Sequence, residues 1–264
     1  MTLTAAEDGI WLVSSRDELH SRVPSLAPQY HQLDYSLNHQ GGALEAIFPI
    51  DPEGGGTWVG ANAAGMAVSL LNNYPEYHPP LGSKRSRGQL VTQLLSSDNL
   101  EQAMHTLTEQ NLHAYGSCTL VGAQVATQSH PKAYALTWDG QQVQLEDVNI
   151  PQLWASSGTH HAEANQYRKR LFEVWRQQHA QKQQLTRNDL SEFHLTRQDD
   201  ASELGVLMYG SAARTVSLTA VHVAEVISVH HVDIPKDVAQ GVQDVSALAS
   251  PTVLTLETLL ETLS

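Results

Sequence analysis

One cysteine among 264 residues, 15 Lys and Arg against 28 Asp and Glu, and no apolar run of membrane-spanning length are the shortages that first bound this chain. A lone Cys118 cannot close a disulfide within the chain, which fits a reducing compartment. It lies in Gly116-Ser117-Cys118-Thr119-Leu120-Val121, a strand-like run in which a small apolar thiol fills core space. The other reading, a displaced nucleophile, needs a histidine partner. A net charge of −13 opposes a phosphate-rich partner, because nucleic-acid binding rests on neutralising backbone charge; no nucleic acid is expected. A bilayer span needs about twenty consecutive apolar residues, and the start of the chain has no basic segment leading into an apolar one. The expectation is a soluble, cytoplasmic protein that is not transmembrane.

Two further chemistries lack their signatures. The 14 histidines include no His-Glu-x-x-His, and neighbours such as His230 and His231 on an extended strand point to opposite faces, so neither a metal nor a cofactor is expected. Gly54-Gly55-Gly56 is followed by no Lys-Ser or Lys-Thr, and a strand rather than a helix comes next. It therefore reads as a tight turn into Trp58, not as a phosphate cradle.

What the chain does have is a series of short motifs in a fixed order. The apolar run Ile10-Trp11-Leu12-Val13 closes into Ser14-Ser15-Arg16-Asp17-Glu18. Gly54-Gly55-Gly56-Thr57-Trp58-Val59-Gly60 follows, then Gly65-Met66-Ala67-Val68-Ser69-Leu70-Leu71-Asn72-Asn73-Tyr74, then Ser86-Arg87-Gly88-Gln89-Leu90-Val91. Taken singly, each is a strand end, a turn or a helix start. In this order they resemble the NRDE (transport and Golgi organisation 2-like) family. That family is named for an Asn-Arg-Asp-Glu tetrapeptide near the amino terminus, which precedes Gly-Gly-Thr-Trp-Leu-Gly, Leu-Thr-Asn-Tyr and a Ser-Arg-Gly helix start. Trp138-Asp139-Gly140, Ala155-Ser156-Ser157-Gly158 and Ala213-Arg214-Thr215-Val216-Ser217-Leu218-Thr219 extend the resemblance over nearly the whole chain.

The sequence departs from the family pattern twice. Ser15 stands where the family has Asn, and the chain opens Met1-Thr2-Leu3-Thr4 where family members begin Met-Cys-Thr. The family's Cys is taken as nucleophile by similarity to N-terminal nucleophile (Ntn) hydrolases. Here either Met1 sits in the nucleophile's place, or Thr2 becomes the attacking residue once Met1 is removed. In the second case a free α-amino group, with an ordinary pKa of roughly 7.7 to 8.0, takes the proton from the Thr2 hydroxyl. Arg16 and Asp17, a strand length downstream, would return to the terminus on a hairpin. Asp17 would hold the amine and Arg16 would orient a substrate carbonyl or carboxylate.

The resemblance assigns further residues. Asn72 and Asn73 end a strand expected beside the nucleophile, and Asn73 is expected in the oxyanion hole; the alternative is an Asn-rich turn before Pro75. Ser156 and Ser157 lie where related amidases carry an oxyanion Asn, with a helix N-cap as the alternative. Arg214 resembles a late Arg of Ntn amidases, with an exposed strand end as the alternative.

The element pattern is of a layered α/β (α+β) kind. Residues 2 to 14 and 57 to 71 read as strands, Ser86 caps a helix through Leu95, and Ser97 or Asp98 caps another to about Gln110 with Leu100, Met104 and Leu107 on one face. Strands follow near 117 to 125, 132 to 138 and 142 to 148, the last two joined at Asp139-Gly140. A long helix spans about 162 to 183, its polar end at Gln177 to Gln184 reading as exposed helix. Then Gly205 to Tyr209, Thr215 to Val221 and His222 to His230 read as antiparallel strands, and Thr252 to Leu263 reads as a terminal helix docking on the core, with service to a dimer as the alternative. No domain boundary is evident, so residues 1–264 are expected to form one domain. With the resemblance, the expected architecture is a four-layer αββα sandwich of two antiparallel sheets between helical layers.

Two functions of different class follow. The first is an Ntn-type hydrolase of a non-peptide amide, with Thr2, Arg16, Asp17, Asn73 and Arg214 as its site and a small-molecule amide as substrate. The second is a non-catalytic binding or trafficking protein that handles haem or lipid, as animal members of the family are linked to secretory-pathway organisation and to such ligands.

Overall fold

Extended apolar segments, the central ones buried on both faces, build two antiparallel sheets. In chain order the strands are β1 (Thr2–Ala5), β2 (Ile10–Leu19), β3 (Leu26–Asp34), β4 (Ala43–Ile50), β5 (Val59–Asn62), β6 (Met66–Asn72), β7 (Cys118–Gln124), β8 (Lys132–Trp138), β9 (Val143–Asp147), β10 (Gln152–Leu153), β11 (Ala213–Val223), β12 (Val226–Asp233) and β13 (Thr252–Glu257). The helices are α1 (Gly88–Leu95), α2 (Leu100–Thr108), α3 (His161–Gln178), α4 (Arg187–His194) and α5 (Lys236–Gln240). This computed structural model describes residues 1–35, 42–74, 85–125 and 131–258.

One sheet has the order β10-β1-β2-β11-β12-β13 and the other β3-β4-β5-β6-β7-β8-β9. Three apolar clusters lie between four layers. The central one joins the inner faces of both sheets through Leu3, Ile10, Leu12, Ile47, Val59, Val121, Val221 and Val229. The second places α1 and α2 on the seven-stranded sheet, through Leu90, Leu94, Met104 and Leu107 against Val68, Leu120 and Leu136. The third places α3, α4 and α5 on the six-stranded sheet, through Phe172, Trp175, Leu190, Phe193 and Val238 against Val13, Leu218 and Ala220. The αββα expectation is met. Each fully buried Leu or Ile contributes about 1.5–3 kcal/mol relative to exposure, so these layers are held chiefly by apolar burial.

Two glycine-bearing motifs meet at one seam. Gly55, with φ +64, turns the chain between Asp51 and Gly56, whose backbone groups pair (Asp51 N–H to Gly56 O, 2.8 Å). The turn then passes directly under the start of α1. A Cβ on Gly56 would lie 2.5 Å from Gly88 C, and one on Gly88 would lie 2.8 Å from Thr57 N and O, so only glycine permits the approach. The tight turn into Trp58 is thereby also the seat of α1.

Several expected elements differ. The segment 252–258 is not helical: Thr252–Glu257 is an edge strand paired with β12, and alternation of Leu254 and Leu256 toward the central core carries more weight there than the leucine count. Leu259, Leu260 and Leu263 lie outside the described residues. Gly205 to Tyr209 is not a strand but irregular chain ending in one bridge, Tyr209 to Arg214. His222 belongs to β11 and His230 to β12, with the hairpin between them. α3 stops at Gln178, so the polar stretch Gln177 to Gln184 mostly leaves the helix. The cap of α2 is Asn99, whose side chain accepts from Gln102 N–H; Ser97 instead accepts from Asn99 N–H. Among the described residues no helix is long and apolar enough to cross a membrane.

Candidate functional site

β1 sits between β10 and β2, and its period-2 alternation decides what each opening residue faces. Met1 and Leu3 enter the central core between the sheets. Thr2 stands opposite Val13 on the other face, toward the helical layer, and is fully buried. Its Oγ1 lies 2.9 Å from His194 Nε2 at the end of α4. The other ring nitrogen of His194, Nδ1, lies 2.8 Å from Ser15 Oγ on β2. One imidazole thus links the first strand to the second.

The strands end in a cleft of about 940 Å3. Met1, Ser15, Arg16, Asp17, Trp58, Asn72, Arg168 and His194 are on its wall. The α-amino group of Met1 donates to Trp154 O at 2.9 Å. Burial, reinforced by Arg168 and opposed by Asp17, lowers its pKa from 8.0 to about 5, so the amine is neutral at pH 7. His194 is also held neutral, well below the usual imidazole value, by burial first, then by the Met1 amine when that is charged, and by Arg168.

Arg168 ties the site together. Its Nε donates to Leu204 O (3.1 Å) and Gly205 O (2.8 Å), its Nη1 donates to Ser156 O (2.9 Å), and Nη1 lies 3.5 Å from Asp17 Oδ2. Its Nη2 is buried and finds no acceptor among the described residues. Asp17 also accepts from Thr215 Oγ1 at 2.7 Å. Arg16 faces the opposite side of the same strand, with its guanidinium 4.6 Å over the Trp58 ring and ion-paired to Glu18 (3.1 Å) and Asp51 (3.7 Å). Burial pulls its pKa below the ordinary guanidinium value, with the acids working the other way.

Of the residues assigned from sequence, Arg16 and Asp17 reach the cleft. The hydroxyl of Thr2 is turned to His194 behind the strand, and Thr2 is not on the cleft wall. Asn72 is on the wall, with Nδ2 donating to Tyr74 Oη at 3.3 Å; Asn73 is not, and its backbone N–H is bonded to Ser117 O. Arg214 also stands off the wall, with Nη1 donating to Thr215 O (2.9 Å) and Ile234 O (2.6 Å). Ser156 contributes its carbonyl to Arg168, and neither Ser156 nor Ser157 caps α3, whose N-cap is His160. Cys118 is buried under α1 and α2, where burial pushes its thiol up to about 12, an unreactive core residue. His230 and His231 do face opposite sides, on Arg187 and Thr219 respectively.

The sequence reading missed Arg168 and His194. Both carry a periodic signal. Arg168 lies on the stripe Ala164, Arg168, Phe172, Trp175 of α3, all buried. His194 lies four residues after Leu190 on α4, whose start is marked by the Thr186 and Asp189 capping box. A polar residue on an otherwise apolar stripe is a buried polar residue, and such a group needs partners.

Residues 8–229 match the family described as Transport and Golgi organisation 2. The chain belongs to that family. No curated protein sequence matches it. Among solved structures, a variant of conjugated bile acid hydrolase from Clostridium perfringens is similar at TM-score 0.56 and 10% identity, covering 97% of both chains. A second mutant of the same hydrolase is similar at 0.52 and 11%, covering 98% of this chain and 97% of that one. The Caenorhabditis elegans ortholog of N-acylethanolamine-hydrolyzing acid amidase is similar at 0.52 and 10%, covering 83% of this chain and 90% of that one. At such identities the likeness is one of fold: this family member has the Ntn-hydrolase sandwich.

Proposed function

We propose that this family member hydrolyses a carbon–nitrogen bond in a small-molecule amide held in the cleft. The observation that carries the reading is the convergence of Asp17, buried Arg168 and the opening strand on one cleft wall. A guanidinium with a free, desolvated N–H is suited to the oxygen that gains charge when an amide carbonyl is attacked. Asp17 holds that guanidinium in place, and Arg16, stacked on Trp58 at the other side of β2, orients the substrate. The solved relatives described as hydrolases of conjugated bile acids and N-acylethanolamines support amides as the substrate class.

The haem-binding alternative is less well supported. Among the described residues His194 is the one imidazole on the cleft wall, and both of its nitrogens are already engaged by Thr2 and Ser15. An iron ligand would have to break one of those bonds. The hydrolase reading is tested by incubating the full chain with a panel of N-acyl amides and measuring the released amine. Release above buffer that falls in Asp17→Asn is the expected result. No release from any member of the panel would overturn the reading.

A further inference from the structure

The two departures from the family pattern, Ser15 for Asn and the missing Cys, are explained together by the hydrogen-bonded series Ser15, His194, Thr2. A nucleophile in need of activation requires a neutral base within bonding reach, and that base requires a third group to orient it. Ser15 Oγ is 2.8 Å from His194 Nδ1, and Thr2 Oγ1 is 2.9 Å from His194 Nε2. Ser15 and His194 are on the cleft wall, whereas Thr2 is wholly buried. Along β2, Ser15 and Asp17 point to the same face, so Arg168, held by Asp17, stands beside the Ser15 hydroxyl's side of the strand. We propose that Ser15 is the attacking group of this protein, with His194 as its base and Thr2 as the residue that positions the imidazole.

The chemistry balances with these groups alone. His194 carries its ring proton on Nε2, donated to Thr2 Oγ1, and leaves Nδ1 free to accept. The Ser15 hydroxyl passes its proton to Nδ1 as Oγ bonds the acyl carbon. The carbonyl oxygen takes the negative charge, which the Arg168 guanidinium, held on the same wall by Asp17, offsets. The C–N bond then breaks, and the amine leaves with the proton from Nδ1. Water adds to the Ser15 ester, again giving a proton to Nδ1, and release of the acid returns that proton to Ser15. Burial of the ring, with Arg168 nearby, keeps the imidazole neutral, the form that can accept.

This inference rests on the hydrolase reading for its substrate class, but its test does not need the substrate. The full chain is treated with a fluorophosphonate probe, which bonds to activated serine hydroxyls, and the adduct is mapped by peptide mass. One adduct on Ser15 is expected, absent in Ser15→Ala, and formed roughly 10²–10⁴-fold more slowly in His194→Gln, as loss of a general base requires. Thr2→Val should slow labelling and Thr2→Ser should restore it, a rescue that a merely structural hydroxyl would not show in a labelling rate. Circular dichroism confirms that each variant is folded. An unlabelled Ser15 in the folded chain, or amide hydrolysis undiminished in Ser15→Ala, would overturn the proposal. A labelled Ser15 without hydrolysis of any amide supports Ser15 as nucleophile and counts against the amide reading instead.

Discussion

Replacing Arg168 by Met removes the charge at the junction of α3, β2 and the segment around Gly205 while keeping most of the stem's volume. In the folded protein Arg168 is 7% exposed, and its guanidinium serves three backbone carbonyls besides the ion pair to Asp17. Hydrogen bonds from a charged donor contribute about 1.5–3 kcal/mol each, and removing one member of a buried charged pair costs about 3–5 kcal/mol. Asp17 is 24% exposed and keeps the Thr215 hydroxyl, so water and that donor offset part of its loss. The expected cost is therefore at the low end, about 3–4 kcal/mol, and for a chain of this size the melting temperature should fall by roughly 6–16 °C. Urea unfolding of the wild type, Arg168→Met and Arg168→Lys gives the measurement, with Lys recovering only part because one ammonium cannot span the carbonyls that the planar fork reaches. The same variant removes a positive neighbour of the Met1 amine and of His194, so both groups should gain protons more readily. A midpoint within about 0.5 kcal/mol of wild type at unchanged slope would refute the account of Arg168 as the tie of the site.

Gly88→Ala should destabilise by about 1–3 kcal/mol or more, because its Cβ would meet the Thr57 backbone at 2.8 Å where no flexible side chain can yield; a thermal melt checks it. Leu256→Ala should cost about 2–4 kcal/mol, as expected for an inward residue of β13 that is 7% exposed, and a cost below about 0.5 kcal/mol would contradict the strand's place in the central core. The His194 ring should remain neutral at pH 6 in a nitrogen-detected NMR titration. Since the unfolded imidazole gains its proton near pH 6.5 and the folded one only at lower pH, stability should fall as the pH drops below about 6.5. The Met1 amine acts in the same direction over the window from pH 8 down to about 5. Haem titration should leave the Soret band at its free position, and a shift at micromolar protein would favour the binding alternative.

Local rules account for much of the architecture. Short apolar runs at Ile10–Val13 and around Val121 made strands, the Asp139-Gly140 turn made the hairpin of β8 and β9, and the stripes of α1 and α2 made a helical layer. The ordered motifs carried the family and, through it, the sandwich of sheets. Arg16 and Asp17 were visible as site residues through the resemblance of Ser15-Arg16-Asp17-Glu18 to the family tetrapeptide, and both lie in β2 on the cleft wall. Elsewhere the local pattern misled: leucine spacing in 252–263 fits a helix as well as an edge strand, and Arg168 and His194 were passed over although each lies on the buried stripe of its helix.

The sequence by itself determined much of the strand and helix periods and the turn chemistry, because those depend on neighbours a few residues away; that Arg16 and Asp17 take opposite faces of β2 came with the strand running on to Leu19. Which face of β1 meets the cleft was decided only by the tertiary structure, since it depends on β1 pairing with β2 and β10 in one register. That register turns Thr2 toward His194, 192 residues later in the chain, and so brings Ser15, His194 and Arg168 to a common wall. Contacts at that separation arise from the packing of α3 and α4 on the sheet, a long-range burial of apolar area that no local pattern encodes.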